Sequence, residues 1–277
     1  MKQRMTTAAG IAALMAALAW CLAAQTPSSG SAPSQTVTNS AVPRMPDGHP
    51  DLSGVWWRGG DVGARNGGPL AAGRGRGGRG RGEAPQTFAS LYTPEAQAHA
   101  KTLGDKDDPS LGCVPTAFGT LNVSMFDVGA VAQIVQTPKF VIMLTETYHG
   151  FQIIPFDGRP HRDNVPPSYR GDAVGHWEGD TFVVDKTNFA DDNWISAEGR
   201  VSFHSDALHI VERYRRVDAK TLEIEATLED PKVLSKPWVV PKQTLTLAPF
   251  DQIMELNCSA GDTPALIDAA AAQKKGN

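Results

Sequence analysis

The 277-residue chain predicts a mainly all-β domain. The expected form is an antiparallel up-and-down meander closed into a lipocalin-like barrel with one or two short helices. Three observations predict it. From Val128 onward, apolar runs of strand length recur with short connections between them. Gly175 to Phe189 reads as a hairpin, with a strand ending at Trp177, a tight turn at Glu178-Gly179-Asp180 and a second strand over Thr181–Lys186. Glycine supplies the positive φ that such a turn requires. About ten strands in all follow their sequence neighbours, and closing a meander removes its exposed edges. A β-sandwich is the alternative.

The chain begins with the form of a secretion signal, Met1 to about Ala24. Lys2 and Arg4 precede an apolar run, Ala8 to Ala19, and Leu22-Ala23-Ala24 offers small residues for cleavage before Gln25. The run is short for a membrane span, and the bulky Trp20 before Cys21 argues against lipidation. A secreted or periplasmic location follows, with no stable membrane anchor after cleavage. Cleavage removes two basic groups and no acidic ones, leaving 24 Lys and Arg against 30 Asp and Glu, a net of −6. That balance excludes a general attraction to nucleic acid or anionic lipid. Residues 25–47, rich in Ser, Thr, Pro and Gln, read as a disordered linker. Residues 48–262 form the single β-domain, and 263–277 a tail with a short helix expected over Pro264 to Lys274.

Within the domain, Val55–Arg58 is the first strand, its two tryptophans facing opposite sides. Residues 59–87 are low complexity around Gly73 to Gly82. With no aromatics interleaved among the arginines, they read as a flexible, locally basic surface loop and not as a nucleic-acid site. Leu91 to Lys101 is a helix, with Thr93 as N-cap, Pro94 at the first helical position and Glu95 in the first turn. Strands follow over Gly129–Gln136, Phe140–Glu146 and Phe151–Phe156. The loop Asp157 to Tyr169 carries three prolines and cannot be a strand. After the Gly175–Phe189 hairpin and a second loop, Ala190 to Ser202, a long hairpin pairs Ala207–Val217 with Thr221–Glu229. Trp238–Leu247 and Gln252–Cys258 end the series. Cys113 and Cys258 are the two cysteines left after processing, and in an oxidising compartment they read as one disulfide. It would close a loop of about 145 residues, of order 4–5 kcal/mol on the chain-entropy estimate.

Asp51-Leu52-Ser53-Gly54-Val55-Trp56, Asp157-Gly158-Arg159-Pro160-His161 and the Trp177–Phe189 hairpin resemble a family of secreted bacterial proteins of uncharacterised function. His204 to His209 followed by Glu212-Arg213 fits the same pattern, and the likeness runs from residue 46 to about 260. It implies secretion and β-architecture, and it supplies no reaction. The family often carries His-Glu-Gly-Asn after its last cysteine, whereas this chain reads Cys258-Ser259-Ala260-Gly261-Asp262.

Alternation along the strands selects the candidate site residues. Leu208, Ile210, Glu212, Tyr214 and Arg216 share one face of their strand, so Glu212 points inward if that face is the core. A carboxylate buried there needs a partner, for which Arg159 is the candidate. Glu146 continues the Phe140, Ile142, Leu144 face to a barrel mouth, where a carboxyl can act as acid or base. Arg159 and His161 sit on a rigid loop, the first as an anion clamp and the second as a proton-transfer group. His204 is a third proton-transfer or orienting candidate. Trp177, Glu212 and Tyr214 are candidate ligand contacts, and Trp56, Trp57, Trp194 and Trp238 could also line a cavity. Glu178 and Asp180 are explained by their turn. No metal and no cofactor is expected, because no HxH, HExxH or CxxC spacing and no phosphate-cradling loop occurs. Ser205 lacks the strand–turn–helix elbow of a serine nucleophile. The leading reading is a barrel that binds a small, partly apolar molecule. The alternative is a cofactor-free acid/base enzyme (lyase, isomerase or hydrolase), and a third is an envelope module using the Gly-Arg loop.

Overall fold

Among the described residues nine strands follow one another: β1 (Gly54–Trp57), β2 (Ala132–Gln136), β3 (Phe140–Thr145), β4 (Phe151–Pro155), β5 (Asp172–Glu178), β6 (Thr181–Thr187), β7 (His209–Arg216), β8 (Thr221–Glu229) and β9 (Trp238–Leu247). The structure is a computed structural model that describes residues 41–58, 86–118, 131–146, 150–196 and 201–255. The strands hydrogen-bond in the order β4-β3-β2-β1-β9-β8-β7-β6-β5, and every neighbouring pair is antiparallel. Each strand pairs with its sequence neighbour except β4 with β5, and the β1–β9 pairing joins the two ends of the meander. The result is a nearly closed barrel. Nine is an odd number, so alternation around the circle cannot close, and β4 and β5 run in the same direction. They approach one another without a ladder. The segment between them must return the length of a strand, about 17 Å for five residues.

The interior is filled by alternate side chains from all round the barrel. Trp56, Ile134, Met143, Ile154, Phe182 and Tyr214 are among the fully buried ones. Leu208, Ile210, Glu212, Tyr214 and Arg216 are all buried, as the alternation predicts. Arg216 covers Trp56, its guanidinium carbon 5.1 Å from the ring centre, and donates to the Asp51 and Ala219 carbonyls. Burial pushes its pKa down. At the seam, a Cβ on Gly175 of β5 would lie 2.5 Å from the Phe182 ring and 3.0 Å from Ile154 of β4. The missing side chain is what lets β5 come so close to β4. Gly179 carries φ +59° while Asp180 does not have a positive φ, the pattern of a type II′ hairpin turn.

Helix α1 (Pro94–Ala100) starts as predicted, with the Thr93 hydroxyl accepting the Ala96 N–H at 3.2 Å. A 3₁₀ turn, Phe88–Leu91, precedes it, and Phe88 packs edge-on against Tyr92 and Trp238. No helix among the described residues is long and apolar enough to cross a membrane. The signal, most of the linker, the Gly-Arg tract, Cys258 and the tail helix lie outside the described residues.

Two strand expectations are corrected. A tenth strand is absent over residues 252–255. Both edges of β1 are already occupied, by β2 and β9, and the Met254 N–H is instead taken by the Glu146 carboxylate at 2.7 Å. In β3 the inward set is Val141, Met143 and Thr145. Phe140, Ile142 and Leu144 face outward and are half-buried. Glu146 lies one residue past the strand and is buried under the segment that follows β9.

Candidate functional site

A cavity of about 640 Å³ opens along the β4–β5 seam. One wall is the outer face of β3 and β4: Phe140, Phe151, Ile153 and Pro155. Phe151 and Ile153 are 65% and 51% exposed, so this face presents apolar groups to the opening and buries the polar Gln152. Gln152 tolerates the inside because its Nε2 donates to the Arg170 carbonyl at 3.0 Å. β4 has no ladder partner on this edge, and the side chain supplies the cross-seam bond. The facing wall comprises Arg159, Pro160 and Arg162 of the connecting loop, Tyr169 to Gly171 at its end, and Asp172 to Val174 of β5.

The Asp157 to His161 motif builds the rim. Arg159 grips Asp157 through Nε and Nη2, at 2.8 and 2.5 Å. That contact holds the Asp157 carboxyl down at about 2. The Arg159 guanidinium carbon lies 5.8 Å from the Phe140 ring centre. His161 ties the loop to the barrel's outer face. Its Nδ1 meets Asp172 at 3.1 Å and its Nε2 meets Asp185 at 3.0 Å; His209 reaches the same Asp185 oxygen at 3.0 Å. Both ring nitrogens of His161 face acceptors, so both contacts are hydrogen bonds only when the ring carries two protons. Arg162 donates from its backbone and from Nε to Asp172. Burial pushes Asp172 up, and these donors outweigh it, leaving its pKa below the usual value.

A second polar cluster lies inside the barrel. Lys186 Nζ is 2.7 Å from Glu212 Oε2, with both side chains fully buried, and the Tyr214 hydroxyl donates to the same oxygen at 2.6 Å. Glu212 therefore points inward as its strand pattern predicts, but its partner is Lys186 and not Arg159. The other oxygen, Oε1, has no hydrogen bond among the described residues. Burial pushes Lys186 down against the opposing pull of Glu212. Burial and the Glu212 charge push Tyr214 well up.

The remaining candidates fall in separate networks. Glu146 anchors Met254. His204 is 3% exposed, with Nε2 on Asn193 Oδ1 at 2.8 Å and Nδ1 on the Ser205 carbonyl at 2.9 Å. Burial pushes its pKa down. Trp177 stacks on His49 at 4.6 Å. Trp57 packs on Phe250, and Trp56 and Trp194 are buried. None of the tryptophans among the described residues lines the cavity. Among the described residues no hydrogen bond joins any two of Glu146, Arg159, His161 and His204, and only Arg159 of these lines the cavity.

Residues missed by the sequence reading are Phe151, Ile153, Arg162, Tyr169, Arg170 and Asn193. Asn193 donates to the carbonyls of Pro115 and Tyr169 at 2.8 and 3.0 Å, so the buried His204–Asn193 pair supports two cavity residues from behind. Arg162 directly follows the Asp157–His161 motif, and that adjacency was the available signal. The chain matches no known protein family, no curated protein and no solved structure.

Proposed function

We propose that this chain is a secreted or periplasmic β-barrel that binds a small, partly apolar molecule in the seam cavity. One observation carries the reading: Phe151 and Ile153, on a strand with no ladder partner on its β5 side, face an open cavity of about 640 Å³ while the barrel interior is filled. Ligand sites of this size are mostly apolar with a few placed polar groups, and exposed apolar patches mark interaction surfaces. The N-terminal signal pattern supports the location, and the Asp51–Trp56, Asp157–His161 and Trp177–Phe189 motifs support kinship with the secreted family they resemble. The Cys113–Cys258 cross-link belongs to the same reading, and the bonded state of Cys113 supports it. An acid/base enzyme draws no comparable support, since its candidates sit in unconnected networks.

The test is a fluorescence titration of the purified protein with the neutral probe N-phenyl-1-naphthylamine. Saturable enhancement is expected, weakened at least several-fold by Ile153→Glu, which places a charge on the apolar wall at an exposed position. Absence of saturable binding, or equal binding by the variant, rules the reading out.

A further inference from the structure

We infer that the molecule bound in the seam cavity is an anion, an apolar body carrying a carboxylate that Arg159 and Arg162 receive at the rim; this inference rests on the cavity being a ligand site. The cavity lining holds three guanidinium groups, Arg159, Arg162 and Arg170, against one carboxylate, Asp172, in a chain of net charge −4. Counting Asp157, which is bound to Arg159 beyond the lining, the local balance is still positive. The positive charge also faces the apolar wall of Phe151, Ile153 and Pro155, so the two sides together match an amphiphile.

The arginines are held in place without being used up. A guanidinium has five N–H donors in a fixed fork. Asp157 occupies Nε and Nη2 of Arg159, and Asp172 occupies Nε of Arg162. The side chains remain 46% and 66% exposed, leaving donors on Nη1 of Arg159 and on both terminal nitrogens of Arg162. The Arg159–Asp157 pair is exposed and contributes little to stability, while Arg162 is fixed by the buried Asp172. Their consequence is positional: two guanidinium groups stand fixed at the cavity mouth, so little side-chain freedom is lost when an anion arrives. A carboxylate accepts bidentate bonds from such groups, which are stronger than those of a neutral amide.

The experiment compares 1-naphthylacetate with 1-naphthylacetamide, which share a body and differ in charge, by calorimetric titration of the purified protein at pH 7 and low salt. The acid is expected to bind about tenfold more tightly. In Arg159→Ala combined with Arg162→Lys that advantage collapses toward parity while amide binding is retained. Arg162→Lys keeps a cation beside the buried Asp172. Arg159→Ala alone, at an exposed site, is the second variant should the pair fail to fold, and it should lose part of the advantage. Equal binding of acid and amide, or an undiminished advantage in the variants, overturns the anion inference and leaves the cavity reading standing. If neither compound binds and N-phenyl-1-naphthylamine also fails, both readings fall.

Discussion

Replacing Lys186 by Met strands a carboxylate inside the barrel. Glu212 is fully buried, its Oε2 keeps the Tyr214 hydroxyl, and its Oε1 has no partner among the described residues to compensate. At 2.7 Å and an effective dielectric of 20, the lost attraction is about 6 kcal/mol. The variant has a cheaper route, which is to protonate Glu212. For a carboxyl of ordinary pKa about 4.3 that costs about 3.7 kcal/mol at pH 7, within the range of about 3–5 kcal/mol found on breaking buried pairs. A carboxyl protonated in the fold and ionised in the unfolded chain has a raised folded pKa, so the deficit shrinks on acidification, to about 1 kcal/mol at pH 5. Glu212→Gln gives the mirror image. Lys186 then loses its carboxylate partner, and shedding its proton costs at most about 4.6 kcal/mol at pH 7 for an ordinary pKa of about 10.4, a deficit that shrinks as pH rises. Urea unfolding followed by tryptophan fluorescence reads both, with midpoint losses of roughly 1–2 M at pH 7 and unchanged slope. Deficits below about 1 kcal/mol in both variants, or the same pH trend in the two, would refute a buried charged pair.

The other candidates give distinct outcomes. Glu146→Ala should remove the hydrogen bond that holds the Met254 N–H of an exposed segment, costing about 1 kcal/mol, and should increase proteolysis after Leu247 without changing seam binding; loss of binding would contradict its anchoring role. Glu178→Gln and Asp180→Asn should leave ligand binding and the unfolding midpoint essentially unchanged, since their salt bridges to Arg213 and Arg44 are exposed. A marked loss of binding would return the turn carboxylates to the site. Asp172 has a depressed folded pKa, so its contribution is present above the unfolded value near 3.9 and is lost as pH falls through the folded one. Asp172→Asn should therefore flatten the acid arm of the stability curve below about pH 4, and an unchanged arm would contradict this.

The β5–β8 half of the barrel is legible in the sequence because β8 has a cleanly apolar face, Leu222, Ile224, Ala226 and Leu228, and β6 and β7 alternate in step with it. Leu208, Ile210 and Tyr214 carry Glu212 inward with them. The partner was legible too: Lys186 shares the parity of Phe182 and Val184, which points it into the same interior. The β2–β4 half is not legible. Phe140 to Leu144 is apolar on both faces, so alternation cannot say which set is inside, and the choice is made by contacts distant in sequence. Gln152 turns inward only because the Arg170 carbonyl waits across the seam. The site itself hangs on a strand count. Ten strands could alternate all the way round. Nine cannot, and the missing ladder between β4 and β5 is where the cavity lies. Among the described residues, 252–255 form no strand and the Met254 N–H is taken by the Glu146 carboxylate, an interaction no local pattern announces.

Ligand in the β4–β5 seam would shield the backbone around it, which hydrogen–deuterium exchange with and without saturating 1-naphthylacetate measures. Added protection is expected only at Phe151–Pro155, the loop around Arg159–Arg162 and Ser168–Val174. Protection concentrated on β7–β9, or none at saturation, would contradict it.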